Sequence, residues 1–334
     1  MIIDVHAHCT PNAYTAMQER INGPQPAREP YPVFSGGPPP ARSDAPADIE
    51  ARLKLMDEAG VQMQVLSQPA GPYFDDVDQA TEGARLINDS YAALVRRYPE
   101  RFAAYAVLPL PHVDGSVQEL RRALDDLGLC GVIMACSIQR TRSPVEAEFE
   151  PIYQELDRRA SALYFHPSGN GLCSAFLNDY GLTYAAGAPM EDTTVVTHLM
   201  ARAIPTRYPN IKIIVAHYGG AMPMLLDRLD HEAPPRVKGL AEPPSVTARR
   251  LYYDTVGHGS AIAFAAAEKA FGADHLLAGS DYPVTLFFEP YAANFDCIRE
   301  SGLAPEAIDQ VLYANAARLL GLEASMTGRG AIIA

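Results

Sequence analysis

Eight short apolar runs recur along this chain, and most are followed by a stretch with helical periodicity. The runs lie at Ile2–His8, Val61–Gln68, Phe102–Leu110, Cys130–Ile138, Leu163–Pro167, Ile211–His217, Leu251–Val256 and His275–Asp281. Amphipathic stretches follow at 47–59, 77–97, 115–127, 147–160, 221–231, 260–271 and 305–320. Such alternation is the signature of a parallel sheet wrapped by helices. Eight units in 334 residues are what a closed (β/α)8 (TIM) barrel needs. The expectation is one α/β domain over 1–334, with an insertion at about 10–46 and a tail from about 321.

Two segments interrupt the alternation. Residues 10–46 read as irregular, with eight prolines between Pro24 and Pro46 and a Gly-Gly-Pro-Pro-Pro run at 36–40. A disordered linker is one reading. Its place after the first strand, at the barrel mouth, favours a folded lid or a subunit contact. The second interruption, 168–208, is rich in small residues and then helical.

Net charge is −13, from 27 basic and 40 acidic side chains, which excludes a phosphate-backbone binder and hence nucleic acid as partner. No run approaches the length of a membrane span. The five cysteines, at 9, 130, 136, 173 and 297, are odd in number and form no C-x-x-C pair. They point to a reduced, cytoplasmic setting rather than to a disulfide framework. The N-terminus has neither a basic n-region nor a long apolar h-region.

The chemistry is carried by residues at strand ends. His6-Ala-His8 closes the first run, and residues i and i+2 of a strand face the same side, so both imidazoles can share one metal. His166 ends the fifth run, His217 the sixth and Asp281 the eighth, each followed by Gly or Pro within a few residues. Taken singly, each would be a satisfied histidine or an N-cap aspartate. Five at the C-terminal ends of barrel strands form a site. Imidazoles with one carboxylate suit Zn²⁺ first and Mn²⁺ as the alternative. The fourth run holds no Lys, Glu or Asp, which argues for one metal rather than two. Such a metal could activate water or polarise a substrate oxygen. His217 is the expected proton donor or acceptor, and the glycines after it open a helix N-terminus that favours an anion. Of the other histidines, only His258, just past the seventh run, is placed to face a pocket.

Helix 47–59 runs from Pro46 to Gly60, with Ile49, Leu53 and Met56 as its apolar stripe. Arg52 falls inside that stripe, where a charge needs a partner. A structural salt bridge and an inward anion-binding group are both open.

The H-x-H at the first strand, His166, His217 and the segment Gly279-Ser-Asp-Tyr-Pro283 resemble the amidohydrolase superfamily. Within it they resemble the aminocarboxymuconate-semialdehyde decarboxylase-like branch (amidohydrolase 2), over roughly residues 1–320. That branch also holds γ-resorcylate, 5-carboxyvanillate and 2,3-dihydroxybenzoate decarboxylases. The resemblance implies that His6, His8, His166 and Asp281 bind one metal, with His217 and Asp281 catalytic. It implies that Arg52, in the segment Ala51-Arg-Leu-Lys-Leu-Met-Asp-Glu-Ala-Gly-Val61, holds a substrate carboxylate. Arg228 and Arg236 match two further substrate arginines by offset, although Arg228 can equally be a structural helix residue. In the family the second of these reaches a neighbouring subunit, which implies a homodimer. Three features depart from the family: H-x-H where some benzoate-type members carry E-x-H, the loop Pro167-Ser-Gly-Asn-Gly171, and the 10–46 insertion. The implied function is non-oxidative decarboxylation of a hydroxylated aromatic or muconate-type carboxylic acid. The alternative is a metal-dependent hydrolase or hydratase using the same site. A metal-binding protein without catalysis is the third reading, and an intact ligand set with His217 argues against it.

Overall fold

Each apolar run becomes a strand, and nearly every strand residue is buried. The computed structural model describes residues 1–23, 40–69 and 71–323. Its strands are β1 (Ile3–His8), β2 (Met63–Ser67), β3 (Phe102–Ala106), β4 (Gly131–Ala135), β5 (Ala162–His166), β6 (Lys212–Val215), β7 (Tyr252–Asp254) and β8 (Leu276–Leu277). They pair in parallel in chain order. Registers such as Ala135 with His166, Phe165 with Val215 and Asp254 with Leu277 bring the C-terminal strand ends to one rim. The ring closes because the Val5 N–H donates to Ala278 O at 2.9 Å and the His8 N–H to Tyr282 O at 2.6 Å. This is the (β/α)8 barrel that the alternation predicts.

The strands are shorter than the apolar runs. β3 stops at Ala106 although Val107, Leu108 and Leu110 are also buried, so their apolarity reports burial at the rim rather than pairing. β6 ends at Val215 and β8 at Leu277, so His217 and Asp281 lie beyond the strands and not at their last residues. Both have left-handed backbones, with φ of 51° and 57°.

The insertion is not irregular throughout. Residues Asn12–Asn22 form α1, which buries Tyr14 and Met17. These pack on Gly83 of α3 (Val77–Arg97), where an added Cβ would lie 3.2 Å from the Tyr14 ring. The linker-or-lid question concerns 24–39, outside the described residues, as is most of the tail. The small-residue segment 168–208 carries the helix Ala188–Ala201, which proves important to the site. No helix among the described residues is long and apolar enough to cross a membrane.

Around the barrel, α2 (Pro46–Ala59) buries Ile49, Arg52 and Met56, with Leu53 only half-buried. α4 (Val113–Asp125) and α5 (Glu150–Arg158) meet through Glu155, a buried carboxylate. It accepts from Arg121 at 3.1 Å, Arg158 at 2.6 Å and Arg159 at 2.6 Å. Hydrogen bonds from Arg158 first, then from Arg121 and Arg159, outweigh its burial and hold Glu155 well below the usual carboxylate range. A carboxylate depressed in the folded state stabilises above its unfolded pKa and loses that contribution as pH falls. Glu155→Gln is therefore expected to cost about 1–2 kcal/mol at neutral pH. In urea denaturation, the gap to wild type should stay level down to pH ~5 and shrink below it. A gap that widens on acidification would show that the cluster does not work this way.

Candidate metal centre

His6 and His8, at i and i+2 near the end of β1, face the same point, and the register with β2 shifts between Asp4 and Ala7, so the alternation does not extend back to Asp4. His6 and His8 reach the rim, where β5 supplies His166 and the loop after β8 supplies Asp281. One nitrogen from each imidazole and one Asp281 oxygen lie within 4.8 Å of one another. Among the described residues this is the one group of three or more side chains arranged to hold a metal. The Nε2 atoms of His6 and His8 are 3.2 Å apart, and Asp281 Oδ1 is 3.4 Å from the first and 2.9 Å from the second.

The outer nitrogens decide what the inner ones offer. His6 Nδ1 donates to Asp254 Oδ2 at 2.9 Å, and His166 Nδ1 donates to the Pro167 carbonyl at 2.8 Å. The Ser67 hydroxyl donates to the Ala7 carbonyl at 3.3 Å, so at 2.9 Å it accepts from His8 Nδ1. Each neutral ring then presents an Nε2 lone pair to the same point, the usual arrangement of metal-bound histidine. Lone pairs converging beside a carboxylate repel unless a positive charge joins them. Two atoms there, His166 Nε2 and Asp281 Oδ1, are buried without a hydrogen-bond partner among the described residues. The ionisation of the cluster says the same. Although burial favours neutral His6, the carboxylates of Asp254 and Asp281 raise it to about 9. Burial and then the other imidazoles hold His166 well below the ordinary histidine range. The His6 imidazolium and the neighbouring hydrogen bonds outweigh burial at Asp281 and keep it ionised. The point calls for positive charge, which a proton or a divalent metal can supply. The donor set therefore fits a divalent metal.

His217 stands beside this set, its ring 5.2 Å from His6 and 5.8 Å from His166. Its Nδ1 meets Asp192 Oδ2 at 2.9 Å, and its Nε2 faces Asp281 Oδ2 at 3.9 Å. Asp192 comes from the helix Ala188–Ala201 and is fully buried. Against the effect of burial, the Asp192 carboxylate holds the His217 proton well above the ordinary range. The glycines after His217 serve close packing: Gly220 has φ +64°, and a Cβ there would strike the Pro189 carbonyl at 1.9 Å.

Arg52 is fully buried, and it makes no salt bridge among the described residues. Its partners are no carboxylate: Nη1 donates to Gln64 Oε1 at 2.9 Å and Nη2 to the His8 carbonyl at 2.5 Å. The guanidinium lies 4.2 Å from the centre of the ring of Tyr282, the residue after Asp281, and its Nε has no partner among the described residues. The other two arginines are not brought to the cluster. Arg228 is exposed and pairs with Glu232 at 3.1 Å, and exposed Arg236 donates to the Glu232 carbonyl at 2.7 Å. His258 sits at the rim with Nδ1 3.5 Å from Glu289.

Sequence reading missed Asp254, Asp192, Ser67 and Tyr164. Asp254 ends β7, fully buried, and joins four elements. It accepts from His6, from the Tyr164 hydroxyl at 2.7 Å and from the His217 N–H at 2.9 Å. The signal was present, because an acid within Leu251-Tyr-Tyr-Asp-Thr-Val256 cannot be buried alone. Asp192 gave a weaker one, as the second of two acids opening an otherwise apolar helix. Asp254→Asn is expected to lower metal affinity about 10–100-fold, and because an amide nitrogen would face donors where an oxygen now accepts, to lower the melting temperature as well. Competition against a chromogenic chelator would measure the affinity, and unchanged affinity would mean that Asp254 does not orient His6.

Comparison with known proteins places this geometry. The profile of the family described as amidohydrolase matches residues 3–322. The chain is 29% identical over 295 residues to γ-resorcylate decarboxylase of Rhizobium radiobacter, covering 82% of this chain and 87% of that one. It is 26% identical over 283 residues to 2-amino-3-carboxymuconate-6-semialdehyde decarboxylase of Dictyostelium discoideum, covering 83% and 77%. Its fold is shared by the crystal structure of a dihydroxybenzoic acid decarboxylase from Polaromonas sp. JS666 with bound manganese and the inhibitor 2-nitroresorcinol. That match has a TM-score of 0.79 at 23% identity and covers 96% of this chain and 97% of the other. A rim carrying three inward-facing imidazoles and a carboxylate, on a barrel matched from its first strand to its last helix, makes this chain a member of the amidohydrolase family.

Proposed function

We propose that the protein is a metal-dependent, non-oxidative decarboxylase of a hydroxylated aromatic or muconate-type carboxylic acid. The observation that carries this reading is the His217–Asp192 pair set beside a complete four-ligand centre. The decarboxylase relatives supply the substrate class.

His6, His8, His166 and Asp281 would hold one divalent metal, Zn²⁺ by donor preference and Mn²⁺ as the alternative. When bound, the metal would hold a substrate oxygen and draw off charge as it develops in the ring. Arg52 would fix a carboxylate oxygen through the Nε–H that has no partner among the described residues. His217, oriented through Nδ1 by Asp192, presents Nε2 towards Asp281, and these two side chains move the proton. The proton adds to the carbon bearing the carboxylate. The C–C bond then breaks, its electron pair returns to the ring, and CO2 leaves. Arg228 and Arg236, exposed as they are, would reach substrate only from a neighbouring copy in a homodimer. The described cysteines are all free, which fits a cytoplasmic setting.

Metal-loaded protein incubated with hydroxybenzoates, muconate-type acids and simple esters and amides should give a product lighter by one CO2. Product mass spectrometry reads this directly. A product heavier by one water, or cleaved with water added, would move the reaction to a hydratase or hydrolase and leave the centre standing. His217→Gln should lower kcat by about 10²-fold or more with metal content unchanged. Full activity in that variant would remove His217 from the proton path.

A further inference from the structure

We propose that His258, with Phe288 and Glu289, forms an outer subsite that reads a second oxygen substituent on the ring of the aromatic acid. This deepens the decarboxylase reading and rests on it. The segment Gly257-His258-Gly259 follows β7 and is pinned beside His217. A Cβ on Gly257 would come 2.6 Å from the ring of Tyr218, the residue after His217. His258 itself holds a left-handed backbone, φ 53°, which a non-glycine residue keeps only where its surroundings impose it. The side chain is thereby aimed at the rim, 60% exposed and within electrostatic reach of both Asp281 and His217.

Its two nitrogens are used unequally. Nδ1 faces Glu289 Oε1 at 3.5 Å, and that oxygen is fixed by Asn294 Nδ2 at 3.0 Å, from a fully buried asparagine. Nε2 has no hydrogen-bond partner among the described residues. Glu289 orients the ring and, ahead of the opposing effect of partial burial, favours its protonated form. Nε2–H is then a charge-assisted donor that faces solvent, with no protein acceptor among the described residues.

The apolar wall beside it suits an aromatic ring. Phe288 meets His258 edge-on at 5.7 Å, and Phe288 and Val284 are 54% and 39% exposed. Both belong to the loop that begins at Asp281, so a ring held at the metal centre would lie along this wall. Exposed aromatic surface next to an unused donor is what a hydroxylated ring complements. The oxygen is a phenol, a phenolate or a second carboxylate.

The experiment compares dissociation constants of 2-hydroxybenzoate with those of 2,3-, 2,4- and 2,6-dihydroxybenzoate, for metal-loaded wild type, His258→Ala and Glu289→Gln. At one ring position the second hydroxyl should tighten binding to wild type. His258→Ala should abolish that gain, about tenfold, leaving 2-hydroxybenzoate and metal content unchanged. Glu289→Gln should lose part of it. An equal gain in wild type and His258→Ala, no gain at any position in wild type, or uniform weakening of all four acids would overturn the subsite. If the acids are still decarboxylated in those cases, the reading of the reaction survives. Wild type that binds none of them would overturn the subsite, and the reading of the reaction would then be decided by the muconate-type acids in the product assay.

Discussion

The carboxylate of Asp254 is the constraint on which the site depends. It is fully buried at the end of β7, where an unpaired charge would be costly. It is satisfied by His6 from β1, Tyr164 from β5 and the backbone of His217 after β6. One carboxylate therefore fixes the tautomer of His6 and the position of His217 together. Gly279 makes the arrangement possible, because a Cβ there would lie 3.1 Å from the Cβ atoms of both His6 and Asp254. A similar logic operates one layer down. Asp4 accepts from Ser280 at 2.6 Å, Tyr291 at 2.8 Å and Gln64 at 3.1 Å, and Gln64 in turn accepts from Arg52. The segments of β1 and the β8 loop that carry His6, His8 and Asp281 are thus tied through a buried carboxyl group and a buried guanidinium separated by one amide.

The rim gains its geometry by leaving regular structure. His217, Tyr218, His258 and Asp281 all adopt left-handed backbones. Such conformations cost free energy and persist where the surrounding fold over-determines them. Here the rigid barrel supplies that constraint at the rim, while other left-handed residues, such as Ala160 and Ala203, sit in the turns that lead into β5 and β6. Stability sits in the staves and chemistry in the loops at their C-terminal ends, as barrel architecture allows.

Much of this was legible in the sequence because it follows from periodicity and residue type. The eight apolar runs revealed the strands, and of the four residues read as ligands His8 and His166 end β1 and β5, His6 lies within β1 and Asp281 lies beyond β8. Strand boundaries were less legible, since Val107 to Leu110 are buried without pairing. α1 was missed although Tyr14, Met17 and Ile21 have helical spacing, because prolines dominate the segment around it. The supporting carboxylates were missed for another reason. Asp254 and Asp192 act across the fold, 248 residues from His6 and 25 from His217, and no local pattern marks such pairs. Arg52 shows the limit most clearly. Periodicity found that it is buried, but whether its partners are a carbonyl, an amide and a ring or an acid is decided by tertiary packing.

A single metal ion held by four protein ligands, acting with His217 on a carboxylic acid, is the core of this reading. The most direct test titrates Zn²⁺ or Mn²⁺ into metal-free protein while following release of labelled CO2 from a carboxyl-labelled hydroxybenzoate that wild type accepts. Activity rising to a break at one metal per chain is the expected result. Undiminished CO2 release from metal-free protein, or a break at two, would contradict it.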